Sequence, residues 1–282
     1  MIRDAAGPAY GYMPGVTFYG QSLQQANLPG AVLVGARLDE TSFAGADLAG
    51  ADLSGAMMGG AWMRFTDLRN TNLNGISGYG VDFSRSDLTG ASLADVDLQR
   101  FLSGLTGCPS VLSAGWLCVE GLLLGPWAVL QYASLPGQDL HGINVSYADL
   151  SHANLAGVDL TGANLTDVYL GFADLTAADL ADADLTSAGL NYTKLINANL
   201  TSTTLREGYL AGVDATGAQF TDADLANISI ERTDLTDADF GGADLSGVHW
   251  AQTTCPDGTY APLYGGTCCG HHVGAAPAAC TP

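Results

Sequence analysis

The residues of this chain best suited to metal chemistry lie near its C-terminus. Two adjacent cysteines are followed, one residue later, by two adjacent histidines, and both residue types bind zinc. Structural zinc sites favour ligand pairs separated by two to four residues, so the spacing here makes zinc the weaker interpretation. The four residues are Cys268, Cys269, His271 and His272.

Disulfide formation is the stronger interpretation of the cysteines. They are even in number, gathered in two loop-like segments, and absent from the regular part of the chain, which predicts disulfides and an oxidising compartment. They are Cys108, Cys118, Cys255, Cys268, Cys269 and Cys280. Pairing among the last four stays open. From the cysteines we expect an extracytoplasmic or secreted protein. Residues 1–15 lack the apolar run of a signal peptide, so we expect that its signal peptide is not present in this chain.

The remaining side chains do not predict an enzyme. The chain has no G-x-S-x-G motif, P-loop or dinucleotide fingerprint, and its five histidines lie at outward or tail positions. Its 29 acidic and 9 basic residues give a formal charge of −20, which excludes cationic nucleic-acid readers. The longest apolar run, 122–130, is too short to span a membrane. We expect no cofactor, no direct nucleic-acid binding and no membrane span.

These residues are positioned by an internal repeat of five. An apolar residue recurs at every fifth position from Phe18 to Leu98, with Gly78 as the one failure among 17, and again from Leu135 to Trp250, giving 41 units in all. A small residue precedes each apolar one by two places. We call the recurring apolar residue the central residue and the small residue two places before it the small residue. The residue between these two is the outward residue. The two residues that come after the central residue are the first and the second corner residue.

A period of five fits neither a helix nor a straight strand. Five residues advance a helix by about 500°, so the central residues would drift around the cylinder. In a strand, an odd period would move each central residue to the opposite face. The chain must therefore turn once per repeat, with the central and small residues inside and the corner made by the last two. This describes a solenoid around a leucine column.

The units resemble the pentapeptide-repeat family, whose pattern is A-[D/N]-L-x-x. Examples are 46–48 (ADL), 153–155 (ANL) and 243–245 (ADL), and the match covers about 205 of 282 residues. The resemblance implies an all-β, right-handed quadrilateral parallel β-helix with four repeats per coil. It implies about ten coils here. The change of repeat phase predicts that one disulfide-stapled insert interrupts them. The cysteine-rich tail also resembles those of exported bacterial members.

The two repeat series differ in phase, which divides the chain. We predict an N-terminal cap segment (1–15), a first solenoid part (16–100), an insert (101–134), a second solenoid part (135–250) and a cysteine-rich cap (251–282). A bridge between Cys108 and Cys118 would close a loop worth about 3 kcal/mol in the chain-entropy model. The insert is then either a stapled plug or an exposed apolar segment, with Trp116 and Trp127, that meets a partner.

Two outward surfaces are candidates for function. Taking every fourth repeat as one face, carboxylates recur in ladders that are either a solvated acidic face or weak Ca²⁺ sites. The ladders are Asp47, Asp67 and Asp87, and Asp139, Asp159 and Asp179. One face of the second part is instead neutral and aromatic, and we call it the aromatic face because tyrosine is favoured in interfaces. It carries Asp149, Tyr169, Gly189, Tyr209, Ser229 and His249.

Three functions remain. We favour a non-enzymatic, extracytoplasmic interaction rod of bacterial type, whose partner is a protein, either a second copy or another chain, and which could assemble into fibres or a surface layer. The alternative is a DNA mimic, because the resemblance implies acidic rods that bind DNA gyrase or another type II topoisomerase. Residues 133–250, with 17 acidic and 3 basic side chains, suit that role. The third is a Ca²⁺-dependent polysaccharide-binding or polysaccharide-cleaving β-helix.

Overall fold

The chain folds as the resemblance implies, into a right-handed quadrilateral parallel β-helix. The structure is a computed structural model that describes residues 11–261 and residue 268. It contains two compact units, Met1–Val129 and Leu130–Pro282, each considered by itself below. The described residues include no helix long and apolar enough to cross a bilayer.

Most of the coil consists of single parallel bridges, and eleven segments are long enough to be strands. The strands are β1 (Ser77–Tyr79), β2 (Ser92–Leu93), β3 (Asp97–Gln99), β4 (Val111–Leu112), β5 (Leu117–Val119), β6 (Leu122–Leu124), β7 (Tyr209–Ala211), β8 (Ser229–Glu231), β9 (His249–Ala251), β10 (Thr253–Thr254) and β11 (Tyr260–Ala261). Parallel pairs join β1 to β3, β2 to β4, and β7 to β8 to β9. Antiparallel pairs join β5 to β6 and β10 to β11.

Each repeat places its central and small residues in the core. Leu155, Leu175 and Leu195 are 0–1% exposed, as are most other central residues of the second unit. Threonine is tolerated at the small position because its hydroxyl donates to a backbone carbonyl, as Thr193 does to Leu170 at 2.8 Å. The interior is therefore filled by side chains.

Backbone hydrogen bonds join each coil to the next. The N–H of Leu155 donates to the carbonyl of Asp174 at 2.7 Å, and that of Gly157 donates to Thr176 at 2.8 Å. Gly157 is a second corner residue with φ of +65°, a left-handed conformation in which glycine carries no steric penalty. The chain turns at this position in each repeat, and four repeats complete one coil. Residues 20 apart therefore lie directly above one another.

The phase change has a simple structural origin in the first unit. Leu102 pairs with Val129, 27 positions later, whereas the other isolated bridges join residues 20 apart. One coil therefore holds seven extra residues, which shifts a period of five by two. They are accommodated around the hairpin of β5 and β6, and the disulfide between Cys108 and Cys118 ties this hairpin to the preceding segment, with Cα atoms 5.9 Å apart.

The coil extends beyond the segment boundaries proposed from the sequence. Tyr12 already pairs with Val32, so residues 11–15 belong to the coil rather than to a separate cap. Ala128 and Leu130 are buried, so regular packing resumes before residue 135. At the other end, Thr253–Cys255 occupy the small, outward and central positions of one more repeat.

The described part of the C-terminal segment contains one disulfide. Cys255 is bonded to Cys268, and both are buried. This pairing removes Cys268 from the alternative zinc cluster. The other residues of that cluster, Cys269, His271 and His272, lie outside the described residues, as does Cys280.

Removing the first disulfide should destabilise the first unit. We expect the double substitution Cys108→Ser/Cys118→Ser to lower the free energy of unfolding by about 3 kcal/mol, because the unfolded chain regains the freedom of a short loop. Denaturant unfolding followed by tryptophan fluorescence measures this against the oxidised wild type. Superimposable unfolding curves would show that the bridge does not constrain the hairpin.

Candidate interaction surface

The coil converts outward residues into columns that run along each face. The predicted ladders are real columns, because each member forms a parallel bridge with the next. The bridges are Asp47 to Asp67, Asp67 to Asp87, Asp139 to Asp159, and Asp159 to Asp179. Neighbouring carboxylates are thus one coil apart.

The ladder carboxylates have a structural role that the sequence alone did not reveal. Oδ1 of Asp159 accepts a hydrogen bond from the backbone N–H of Thr161 at 2.9 Å, and Oδ1 of Asp179 accepts one from Ala181 at 3.1 Å. The other four ladder members bond the first corner residue in the same way. An outward Asp or Asn therefore satisfies a backbone donor at each corner.

These hydrogen bonds favour the charged form of the carboxyl groups. The Thr161 hydroxyl holds the pKa of Asp159 below its usual range, and the Ser246 backbone N–H does the same for the pKa of Asp244. The Arg69 side chain lowers the pKa of Asp67 by direct hydrogen bonding. Corner bonds of this kind accommodate a high density of acidic groups.

The columns pair carboxylates without gathering a larger cluster. Within 11–261 and residue 268, no group of three or more His, Cys, Asp or Glu side chains is placed to hold a metal ion. One oxygen of each ladder carboxylate is already occupied by a corner N–H. Weak Ca²⁺ binding on the ladders stays a prediction.

The aromatic face also forms one column in the second unit. Parallel bridges connect its six members in sequence: Asp149, Tyr169, Gly189, Tyr209, Ser229 and His249. Tyr169 is 60% exposed and Tyr209 is 39% exposed. Both rings are therefore accessible. The partial burial of Tyr209, followed by the nearby Glu231 carboxylate, raises the pKa of its hydroxyl.

The structure contains a second aromatic column beside the first, which the sequence alone did not predict. Four rings at second corner positions stack along the coil, and we call them the ring stack: Tyr132, His152, Phe172 and Tyr192. Successive ring centroids are 4.8, 4.9 and 4.9 Å apart, with interplanar angles of 14° or less. The signal was a ring at every twentieth residue, but at the corner rather than at the outward position.

An open cleft of ≈ 370 Å³ lies between the two columns. Tyr169 and Gly189 line one side, and Phe172 of the ring stack lines the other. Gly171 and Asn191 also contribute to the wall. The Asn191 Oδ1 atom is buried and has no hydrogen-bond partner among the described residues.

The two tryptophans proposed as contact residues of the insert differ in position. Trp116 is buried, stacks on Phe101 with a centroid distance of 5.0 Å, and its ring lies against Gly125, where a Cβ would be only 2.5 Å away. Trp116 is therefore a core residue of the first unit and not part of an interaction surface. Trp127 is 37% exposed. The burial of Trp116 agrees with the interpretation of the insert as a plug held by a disulfide.

Comparison with protein families identifies the repeat. The model described as pentapeptide repeats matches the chain in 8 copies. The matched residues are 18–55, 61–100, 127–162, 163–201, 194–229 and 216–249. A comparison with curated proteins finds no match.

Solved structures that resemble the chain include other proteins of this repeat. HetL of Nostoc sp. strain PCC 7120, involved in heterocyst differentiation regulation, is 24% identical over 90% of this chain and 94% of its own, with a TM-score of 0.46. A thylakoid-lumen protein of Arabidopsis thaliana is 27% identical over 41% and 70%, with a TM-score of 0.29. QnrB1, a plasmid-mediated fluoroquinolone resistance protein, is 16% identical over 85% and 93%, with a TM-score of 0.25.

The corner role of an outward aspartate can be tested at Asp244. Its Oδ1 accepts the Ser246 N–H at 2.9 Å. We expect Asp244→Ala to lower the free energy of unfolding by about 1 kcal/mol, because a corner donor loses its acceptor. Asp244→Asn keeps an oxygen at the same place and should unfold nearly as the wild type in urea. Equal losses for the two variants would contradict the role.

The lowered pKa values predict acid sensitivity. The ordinary pKa of an aspartate is about 3.9. A carboxyl group whose pKa is lower than this in the folded state stabilises the fold at pH values above its ordinary pKa. This contribution disappears as the pH falls through the lowered folded pKa. We therefore expect thermal stability to decline below about pH 4. Asp174 belongs to the same group, because the Thr176 side chain lowers its pKa by hydrogen bonding. The triple variant Asp159→Asn/Asp174→Asn/Asp244→Asn should decline less steeply, and an identical pH profile would contradict this cause.

Proposed function

This chain belongs to the pentapeptide-repeat family, and from that premise we propose that it is a non-enzymatic interaction scaffold that works outside the cytoplasm. It contacts a protein, a second copy or another chain, through the aromatic face and the ring stack of its second unit. The observation that carries this proposal is the separation of acidic and aromatic side chains onto different faces.

The separation holds along one edge of the aromatic face over the first coils of the second unit. From Gln131 to Gly212, its outward residues and the corner that follows them include one acidic side chain, Asp149, whereas the corner that precedes them carries Asp167 and Glu207. The other three faces carry columns such as Asp139, Asp159 and Asp179. Interface cores are enriched in tyrosine and depleted in aspartate, so the aromatic face has the composition of a contact surface.

The coil interior supports a scaffold rather than an enzyme. The central and small residues fill it, and active sites need a concave pocket with convergent polar groups. The described histidines lie on the outer surface: His141 bonds Asp139, and His152 is sandwiched between Tyr132 and Phe172. The outer surface is therefore where binding occurs.

Two disulfides support a location outside the cytoplasm. Cys108 is bonded to Cys118 and Cys255 to Cys268. Such bonds persist in oxidising compartments and are rare where glutathione and thioredoxin keep thiols reduced.

The second candidate is the DNA mimic. Carboxylates spaced one coil apart, together with the net charge of −14 over residues 133–250, favour it. Against it, the outward carboxylates also serve the corners, so their abundance has a cause independent of any partner. The two candidates depend on different faces and can be separated by substitution.

The scaffold is tested by solution mass. We expect light scattering of the non-reduced protein to give masses that rise with concentration above 28.9 kDa. Tyr169→Ala/Tyr209→Ala should return the mass to the monomer, because the aromatic contact is lost. The control is Asp174→Asn/Asp179→Asn/Asp184→Asn, which removes charge but keeps the corner acceptors and should leave association intact.

The opposite pattern would favour the mimic. A monomer at all concentrations that inhibits a type II topoisomerase, with inhibition lost in the Asp→Asn variant and retained in the Tyr→Ala variant, contradicts the scaffold. Circular dichroism of each variant establishes that the coil is intact.

A further inference from the structure

The column of the aromatic face has an uneven profile. Four successive members, one coil apart, are Asp149, Tyr169, Gly189 and Tyr209. A large ring therefore stands on each side of a position that has no side chain. The column is an aromatic ladder with one rung missing.

The ring stack beside it gives the scale of that gap. Rings on successive coils stack with centroids 4.8–4.9 Å apart. Tyr169 and Tyr209 are two coils apart, so the space above Gly189 is one rung wide. One planar ring from outside the chain matches this spacing.

The fold itself does not require glycine at the missing rung. Gly189 does not have a positive φ, and a Cβ there would meet only Val168 O at 3.8 Å and Tyr169 Cδ1 at 3.9 Å, both ordinary contacts. Gly171, beside it in the cleft, is equally unconstrained, with Asn191 O at 3.6 Å. What the two glycines provide is the open space of the cleft.

Charge restricts which faces two copies can bring together. Each copy carries a formal charge of −20, so two copies repel through their acidic faces. Among the outward residues of the aromatic face and the corner that follows them, one side chain between Gln131 and Gly212 is acidic, Asp149, which already accepts a hydrogen bond from Gln131 at 2.6 Å. The corner that precedes the face carries Asp167 and Glu207. Two copies that meet there turn their acidic columns away from each other, where salt screens them over about 8–10 Å.

The profile is also complementary to itself. Consider two aromatic faces placed in contact with their coils antiparallel, related by a two-fold axis between the levels of Tyr169 and Gly189. Tyr169 of each copy then faces Gly189 of the other. At the outer levels, Tyr209 of each copy faces Asp149 of the other, and a phenol hydroxyl donates to a carboxylate.

We propose that the second unit forms an antiparallel two-fold dimer in which Tyr169 of each copy fills the missing rung at Gly189 of the other. The inference rests on the proposed function and specifies its partner as a second copy. A two-fold interface is isologous, so each contact occurs twice. Burial of the same tyrosine on both sides gives the contact its strength.

The test exchanges the projecting ring and the gap. Gly189→Tyr places ring against ring, and Tyr169→Gly places gap against gap, so each should weaken dimerisation at least about tenfold. The double variant Tyr169→Gly/Gly189→Tyr restores a ring opposite a gap and should dimerise within about threefold of the wild type. Sedimentation equilibrium gives the dissociation constants.

A matched control distinguishes the effect of adding a ring to the surface from the effect of adding it at the proposed contact. Gln219→Tyr adds the same ring at an exposed outward position on the face that carries Asp179 and should leave the dissociation constant unchanged. Raising the salt concentration should strengthen the wild-type dimer, because the two copies repel at long range. Thermal unfolding of each variant checks the coil.

Each outcome decides the inference. Recovery in the double variant supports it. Association that Tyr169→Ala/Tyr209→Ala abolishes, but that the exchanged pair does not recover, overturns the two-fold register and leaves the proposed function standing. A wild type that stays monomeric overturns the dimer and leaves another protein as the partner under the proposed function. Association that persists equally well without the tyrosines overturns both. Saturable binding of a soluble ring compound to a monomer would give the cleft to another occupant and likewise overturn the dimer.

Discussion

Vertical registration of the coils is the constraint on which the rest of this structure depends. A left-handed second corner residue turns the chain in every repeat, and backbone hydrogen bonds then hold residues 20 apart in contact. Side chains at equivalent positions have no freedom to avoid one another. A leucine lies on a leucine in the core, a carboxylate beside a carboxylate outside, and a ring upon a ring at the corner.

Registration also explains how so acidic a chain is stable. Exposed carboxylates one coil apart repel by only about 1 kcal/mol in water, and each ladder member recovers a hydrogen bond from a corner N–H. The acidity is therefore largely a consequence of the fold. Departures from the repeat consensus, such as Tyr169 and Gly189, carry more information about binding than the aspartates do.

In the first unit, the coil continues past the interruption of the repeat. Seven extra residues in one coil form a hairpin tied by a disulfide, and the coil resumes when Val129 pairs with Leu102. Trp116, which looks like an exposed anchor in the sequence, instead covers Phe101 and the bare backbone of Gly125. A large apolar residue in a loop fills the nearest apolar space first.

The sequence by itself determined the period, the inward residues, the four faces and the family, because a period of five allows few backbone solutions and a step of 20 assigns each residue to a column. It predicted the Asp159 ladder and the Tyr169 column for the same reason. Tertiary structure alone decided which hydrogen bonds Asp159 makes, that Trp116 is buried, that Cys255 pairs with Cys268, and that Tyr132 and His152 begin a continuous stack. These depend on where side-chain atoms lie once the coils are in contact, and a linear pattern of residue types does not encode those distances.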